Sequence, residues 1–344
     1  MVRLTAQRVV HLIQRVLPWA SLAVGIVGAL MMDRGPKRGA IVAAVALASW
    51  LVLLLVIWLE RVHEAREAAA APDQAPAVVG RIVRGARFST LMLMQSSIHL
   101  QLYFALPFYF KSWAGTVGHT VFLAVLCAAA LASLWDPWTE RLLMRTRGGL
   151  LLPAFASFVV MAAVLPGLGL SNTAALWAAS GAGALALPVM VFADRVHGRR
   201  MFGSVVAAIA AALVMPLVLL GGGARLVPAV PMHLVSVEVG TRRGGYEVLD
   251  PTAVLAAPPA KLVCATAIFA PLGVRERLLH VWRKDGHVVD RIELEIRGGR
   301  EQGFRTYSVK RNFGDQPQGE WSCAVETALG QFLGEQRVVI EGKR

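Results

Sequence analysis

Two periodicities divide the chain. Up to about residue 220, apolar residues run on in long uncharged blocks. From about Pro231 they alternate with polar ones, in short runs bounded by Gly, Pro or Asp. Blocks of about 20 apolar residues are the length a helix needs to cross the hydrocarbon core of a bilayer. Seven fit that description, at roughly 16–32, 39–59, 88–110, 117–134, 149–170, 173–193 and 201–220. The later runs have the period of two that marks half-buried strands. They are "HLVSVEV", "KLVCATAIF", "LLHVWRKDGHVVDRIELEI", "FRTYSVK", "EWSCAVET" and "RVVIEG". The expected architecture is a transmembrane helical bundle over 1–223, followed by an all-β sandwich over 224–344.

Charge sets the expected orientation. The chain carries a net +13, unevenly spread: 18 Lys+Arg against 8 Asp+Glu before Ala224, and 17 against 14 from there on. The basic residues lie in short connections between spans, so they read as topology signals and not as a nucleic-acid surface. Counting alternate connections puts 14 Lys+Arg on the side of the N-terminus and 4 on the other. By the positive-inside rule the N-terminus is cytoplasmic, and after seven spans the sandwich lies outside. The loop "DRGPKR" runs against that bias. "VVGRIVRGARF", within the second connection, has the arginine spacing of a helix lying on anionic lipid, or of an ordinary inter-span loop. The first apolar block lacks a small-residue cleavage site and reads as an uncleaved span.

The hairpin "LLHVWRKDGHVVDRIELEI" turns at Asp285-Gly286. A three-residue loop, Lys284-Asp285-Gly286, would pair Arg283 with His287, set Trp282 against Val288 and Leu278 against Ile292, and put Leu294 and Ile296 on the same face. It would also set His280 opposite Asp290 on the inner face. That pair would be a structural hydrogen bond or a ligand-binding or catalytic dyad. Cys264, Trp282 and Cys323 follow in the order Cys…Trp…Cys, which in immunoglobulin-like sandwiches marks an inter-sheet disulfide packed on a tryptophan. Trp321 stands two residues before Cys323. The alternative is that both cysteines fill the core as small apolar side chains.

Polar residues inside apolar blocks are the other candidates. Gln95, His99 and Tyr103 recur every four residues on one face of the third span, with Ser96 beside them. His99 falls near the midplane, where polar groups either hydrogen-bond helices together or line a proton path or ligand site. Asp136, after the fourth span, reads as the cap of a following helix or as a carboxylate for an ion or substrate. No metal-ligand spacing, nucleophile elbow or phosphate loop is present, and a haem would need a second midplane histidine. No metal or cofactor is therefore expected, and the chain leans away from an enzyme.

The runs "HVWRKDG", "RIELEIRGG", "GFRTYSVKR", "GEWSCAVET" and "GQFLGEQ" resemble a domain of unknown function found at the C-terminus of bacterial multi-pass membrane proteins. The matching positions are His280, Trp282, Asp285, Gly286, Arg305, Thr306, Ser308, Gly319 and Trp321; the two cysteines lie outside the pattern. The membrane half, with "LPFYFKSW" and "SLWDPW", is similar to the uncharacterised family that carries this domain. The resemblance implies a bacterial inner-membrane protein, N-terminus in the cytoplasm and sandwich in the periplasm, and brings no activity with it. Two functions follow from the reading. Either the bilayer-embedded helices present the sandwich to a glycan, peptide or protein partner, or the bundle itself works as a transporter or membrane-embedded enzyme.

Overall fold

The computed structural model describes residues 97–134, 151–184 and 221–342, with isolated helical positions between Val16 and Leu55 and at Val218. Gln95, Ser96 and Asp136 lie outside the described residues, as do most of the first, second and seventh expected spans. The described residues carry parts of four helices, so the seven-span count goes beyond what they contain. One of these helices, with the turn that follows it, is long and apolar enough to cross a membrane, over Leu151–Leu168.

The helical part comprises α1 through 97–111, α2 over Val117–Ser133, α3 over Leu151–Val164 and α4 over Asn172–Ala184. Thr116 starts α2 by accepting the His119 N–H at 3.1 Å, which satisfies one of the free donors of a first turn. A 3-10 turn, Leu165–Leu168, closes α3. Ser171 then opens α4 by accepting the Ala174 N–H at 3.2 Å. One face of α2 is unusual. Val117, Val121, Val125 and Leu131 are each at least 50% exposed, while His119 and Ser133 are buried.

The rest is β. The strands are β1 (His233–Gly240), β2 (Arg243–Gly244), β3 (Glu247–Val248), β4 (Val254–Leu255), β5 (Leu262–Phe269), β6 (Arg275–Lys284), β7 (His287–Arg297), β8 (Phe304–Lys310), β9 (Gly319–Thr327) and β10 (Phe332–Ile340). They form a three-stranded sheet β1-β5-β8 and a five-stranded sheet β4-β10-β9-β6-β7, with β2-β3 as a separate short hairpin. The inward positions of the two sheets build two apolar clusters. One surrounds Leu278, Ile296, Ile268 and Val325; the other surrounds Trp282, Trp321, Cys264 and Cys323.

The β6–β7 hairpin corrects the expected register. Lys284, not Arg283, pairs with His287, and the turn has two residues, Asp285 and Gly286, at φ of 49° and 81°. That is the positive-φ pair that a two-residue hairpin turn needs, and Asp-Gly supplies it at low cost. The extra residue falls further along, at Val289, between the pairs Arg283–Val288 and Trp282–Asp290. Beyond it the register is two residues off expectation. Leu278 faces Leu294 and not Ile292, Trp282 faces Asp290 and not Val288, and His280 faces Ile292 and not Asp290. A shift of two preserves the face of every side chain, so Trp282, Leu278, Leu294 and Ile296 remain buried. Val288, on the turn side of the bulge, is exposed.

The helices and the sandwich meet through buried polar groups. Asn172, the first residue of α4, donates its N–H to the Glu276 carboxylate at 2.5 Å and its side-chain amide to Gln331. Gln331 in turn donates to the carbonyls of Val227 and Pro228 at 3.0 and 3.2 Å. Gly118, at the start of α2, lies against Leu226. The N-terminal ends of α2 and α4 thus lie on the same side, toward the sandwich. Burial raises the Glu276 carboxyl above its usual range, opposed by the N–H groups it accepts from Asn172 and Arg277.

Candidate functional site

The inner face of the sandwich holds most of the residues singled out from the sequence. His280, on β6, reaches across to the opposite sheet. Its Nε2 contacts Thr266 Oγ1 at 3.0 Å and its Nδ1 contacts Ser308 Oγ at 2.8 Å. Trp282 Nε1 donates to the same Ser308 oxygen at 3.2 Å. All four side chains are buried. Asp290 is elsewhere, accepting from Lys310 Nζ at 3.1 Å, so the expected His280–Asp290 pair is absent; the shifted register separates them. Ser308 and His280 do not make a nucleophile and base. Among the described residues no carboxylate orients the His280 ring, and both side chains are buried.

Burial pushes the His280 imidazole down to about 4. A depressed base favours the folded state while neutral. Its contribution is whole above its unfolded value of about 6.5 and is lost as pH falls through about 4, roughly 3 kcal/mol in all. Glu276, being raised, acts with the opposite sign and favours low pH. The expected result is that His280→Gln removes a fall in stability between pH 6.5 and 4 that the native chain has, read from urea midpoints across that range. An unchanged pH profile would contradict the buried, neutral imidazole.

Cys264 on β5 and Cys323 on β9 are joined by a disulfide between the two sheets, with Cα atoms 6.4 Å apart. Trp282 pairs directly with Cys323 across β6 and β9. Trp321 is buried beside them, donating to the Pro317 carbonyl at 2.8 Å and standing edge-on to Phe313. The turn residue Asp285 closes the end of this layer. Its carboxylate accepts the Glu320 N–H at 2.9 Å, and its own N–H donates to the Glu320 carbonyl at 2.7 Å. Gly319, at φ 125°, has no room for a side chain, since a Cβ there would lie 2.7 Å from the Asp285 carboxylate. Of the nine positions that carried the sequence resemblance, seven thus serve two structural contacts: His280, Trp282 and Ser308 in one, Asp285, Gly286, Gly319 and Trp321 in the other.

Arg305 is different. It lies on the outer face of β8, pairs with Glu247 of the β2–β3 hairpin, and lines a cleft of about 580 Å³. The cleft runs between that hairpin and the outer face of the β1-β5-β8 sheet. Asp250 fixes the base of the hairpin by accepting from the N–H groups of Thr241 and Arg242 at 3.1 and 2.7 Å. Sequence reasoning missed this cleft, because its floor is formed by the alanines of β5.

In the helices, His99 is buried and donates from Nε2 to the Ser133 carbonyl of α2. Tyr103 donates to the Ala130 carbonyl at 3.4 Å, also on α2. The structure therefore brings His99 and Tyr103 together on one face, against a neighbouring helix. His119, which the sequence reading passed over, is fully buried at the start of α2, where its Nδ1 accepts the Ala114 N–H at 3.3 Å. Cys264, His280 and Cys323 form a cluster with ligand atoms close together, but the disulfide occupies both sulfurs.

These features define an uncharacterised class, in which a helical region is joined to a disulfide-bonded all-β domain. The chain belongs to the family described as "Family of unknown function (DUF5924)", which matches residues 1–244 and so takes in β1 and β2. Residues 275–340, from β6 to β10, match "Protein of unknown function (DUF2914)". No curated protein matches the chain. Among solved structures, Pseudomonas fluorescens alkylpurine DNA glycosylase AlkC bound to DNA containing an abasic site analog is similar over 87% of this chain and 97% of that one. The identity is 11% and the TM-score 0.24, too low to carry an argument about fold or activity.

Proposed function

We propose that the chain is a seven-span protein of the bacterial inner membrane that holds an immunoglobulin-like sandwich on the extracytoplasmic side as a binding module. The observation that carries this reading is the outward apolar face of α2. Its apolar residues Val117, Val121, Val125 and Leu131 face outward, and its inward face carries the polar His119 and Ser133 beside Leu126 and Ala130. A helix in water does the opposite, because exposed apolar area is unfavourable and buried polar groups need partners. Lipid reverses the first preference.

Three further observations support the arrangement. The starts of α2 and α4 lie on the side of the sandwich, as expected of helices that traverse a bilayer in alternate directions. The disulfide suits an oxidising compartment. The sheets β1-β5-β8 and β10-β9-β6-β7, bridged from β5 to β9 beside a β6 tryptophan, follow the immunoglobulin-like order. The binding role rests on the cleft beside Arg305. The alternative, a working bundle, is less favoured because His99 and Tyr103 spend their hydrogen bonds on α2 carbonyls.

Alkaline phosphatase fused after Arg344 is expected to be active in a bacterial host, with green fluorescent protein at the same site dark. A bright fluorescent fusion with an inactive phosphatase would overturn the placement.

A further inference from the structure

The cleft on the sandwich has a construction that points to its ligand. Its floor and walls include the cross-strand row Ser236–Ala267–Arg305 and the pair Glu238–Ala265. At these positions the central strand, β5, contributes alanine methyl groups, and its neighbours contribute the polar side chains of Ser236, Glu238 and Arg305. The result is a trough along β5, about 10 Å from β1 to β8 at ordinary strand spacing. Tyr246, on the hairpin above, is exposed and stands 5.8 Å from the Tyr307 ring, on which Arg243 stacks at 3.9 Å. The volume of about 580 Å³ is within the usual range for small-ligand sites.

Each feature excludes a class of occupant. An extended peptide that adds to a sheet needs an unpaired strand edge, but the floor strand β5 is paired on both sides, with β1 and β8. An anionic ligand needs unpaired positive charge. The charged residues that line the cleft are Arg305, paired with Glu247, and Glu238 on the opposite wall, so the lining carries two carboxylates against one guanidinium. What remains is a set of donors and acceptors, from Glu238, Gln302, Ser236 and the Arg305–Glu247 pair, around the Tyr246 ring. Vicinal hydroxyls match such planar polar groups, and the C–H face of a sugar ring packs on an aromatic face.

We propose that this cleft binds a neutral glycan chain, seated on the alanine floor with a sugar ring against Tyr246 and hydroxyls on Glu238 and the Arg305–Glu247 pair. The proposal deepens the binding-module reading and rests on it.

The test uses the full chain in phospholipid nanodiscs, which avoids sugar-headed detergents, titrated calorimetrically with cellotetraose, chitotetraose and maltotetraose. At least one is expected to bind saturably, with Tyr246→Ala and Glu238→Gln each weakening it by about tenfold or more. Tyr246 and Glu238 are surface positions, and unchanged melting curves of the two variants would establish that they fold. Failure of all three sugars to bind at about 10 mM would overturn the proposal, as would equal binding by both variants. Either result leaves the phosphatase fusion untouched, so a wrong ligand and a wrong placement give different outcomes.

Discussion

Replacing Cys264 and Cys323 together by alanine is expected to lower the stability of the sandwich by about 4 kcal/mol in the chain-entropy account, with about 2–4 kcal/mol typical of measured disulfides. The bond spans 59 residues of sequence and links the two sheets at the centre of the core. Its main effect is on the unfolded chain, which loses conformations when a loop of that size is closed. The double alanine change also removes two buried sulfurs, adding a packing loss. Urea unfolding of the full chain, followed by tryptophan fluorescence with and without reductant, separates the two. Reductant should shift the native protein most of the way to the variant and leave the variant unmoved. A native midpoint insensitive to reductant would contradict the bond's role.

Trp282→Ala is the second large effect, about 3–5 kcal/mol. Trp282 is fully buried against Cys323 and donates to Ser308. Truncation leaves a cavity between the sheets and removes one of the two contacts that Ser308 makes with β6. Trp282→Phe separates these losses: it refills most of the volume without the N–H, and should recover more than half of the stability. If both variants melted like the native chain, Trp282 would not be the packing centre described here.

Much of the fold was legible because its signals are local. The alternation in "GEWSCAVET" and "FRTYSVK" located β9 and β8, and the four-residue recurrence of His99 and Tyr103 identified the face of α1 that meets α2. The hairpin shows where local signals conflict. Hydrophobic alternation predicted the faces of Trp282, Leu278, Leu294 and Ile296, but the Asp-Gly turn chose a two-residue loop, moved the bulge to Val289 and left Val288 exposed. The faces survived because the displacement was even, and the pairing of His280 with Asp290 did not.

What was illegible depends on distant partners. Asn172 meets Glu276 across 104 residues and Gln331 across 159, and the uncharged run "PGLGLSNT" that contains it carries no local sign of either partner. Thr266 and Ser308 gave no sign that they would satisfy His280. The cleft depends on Ala265 and Ala267 being short, and an alanine in an apolar strand carries no functional signal of its own.

The central claim is that a disulfide-bonded sandwich stands on the oxidising side of a membrane. The most direct test is the thiol state of the unmodified chain. The protein is extracted from bacterial cells into denaturant, alkylated at once without reductant, and weighed by mass spectrometry. Of its three cysteines, only Cys127 is free in the structure. The account predicts a single label, on Cys127. Three labels would contradict both the bond and the compartment it implies.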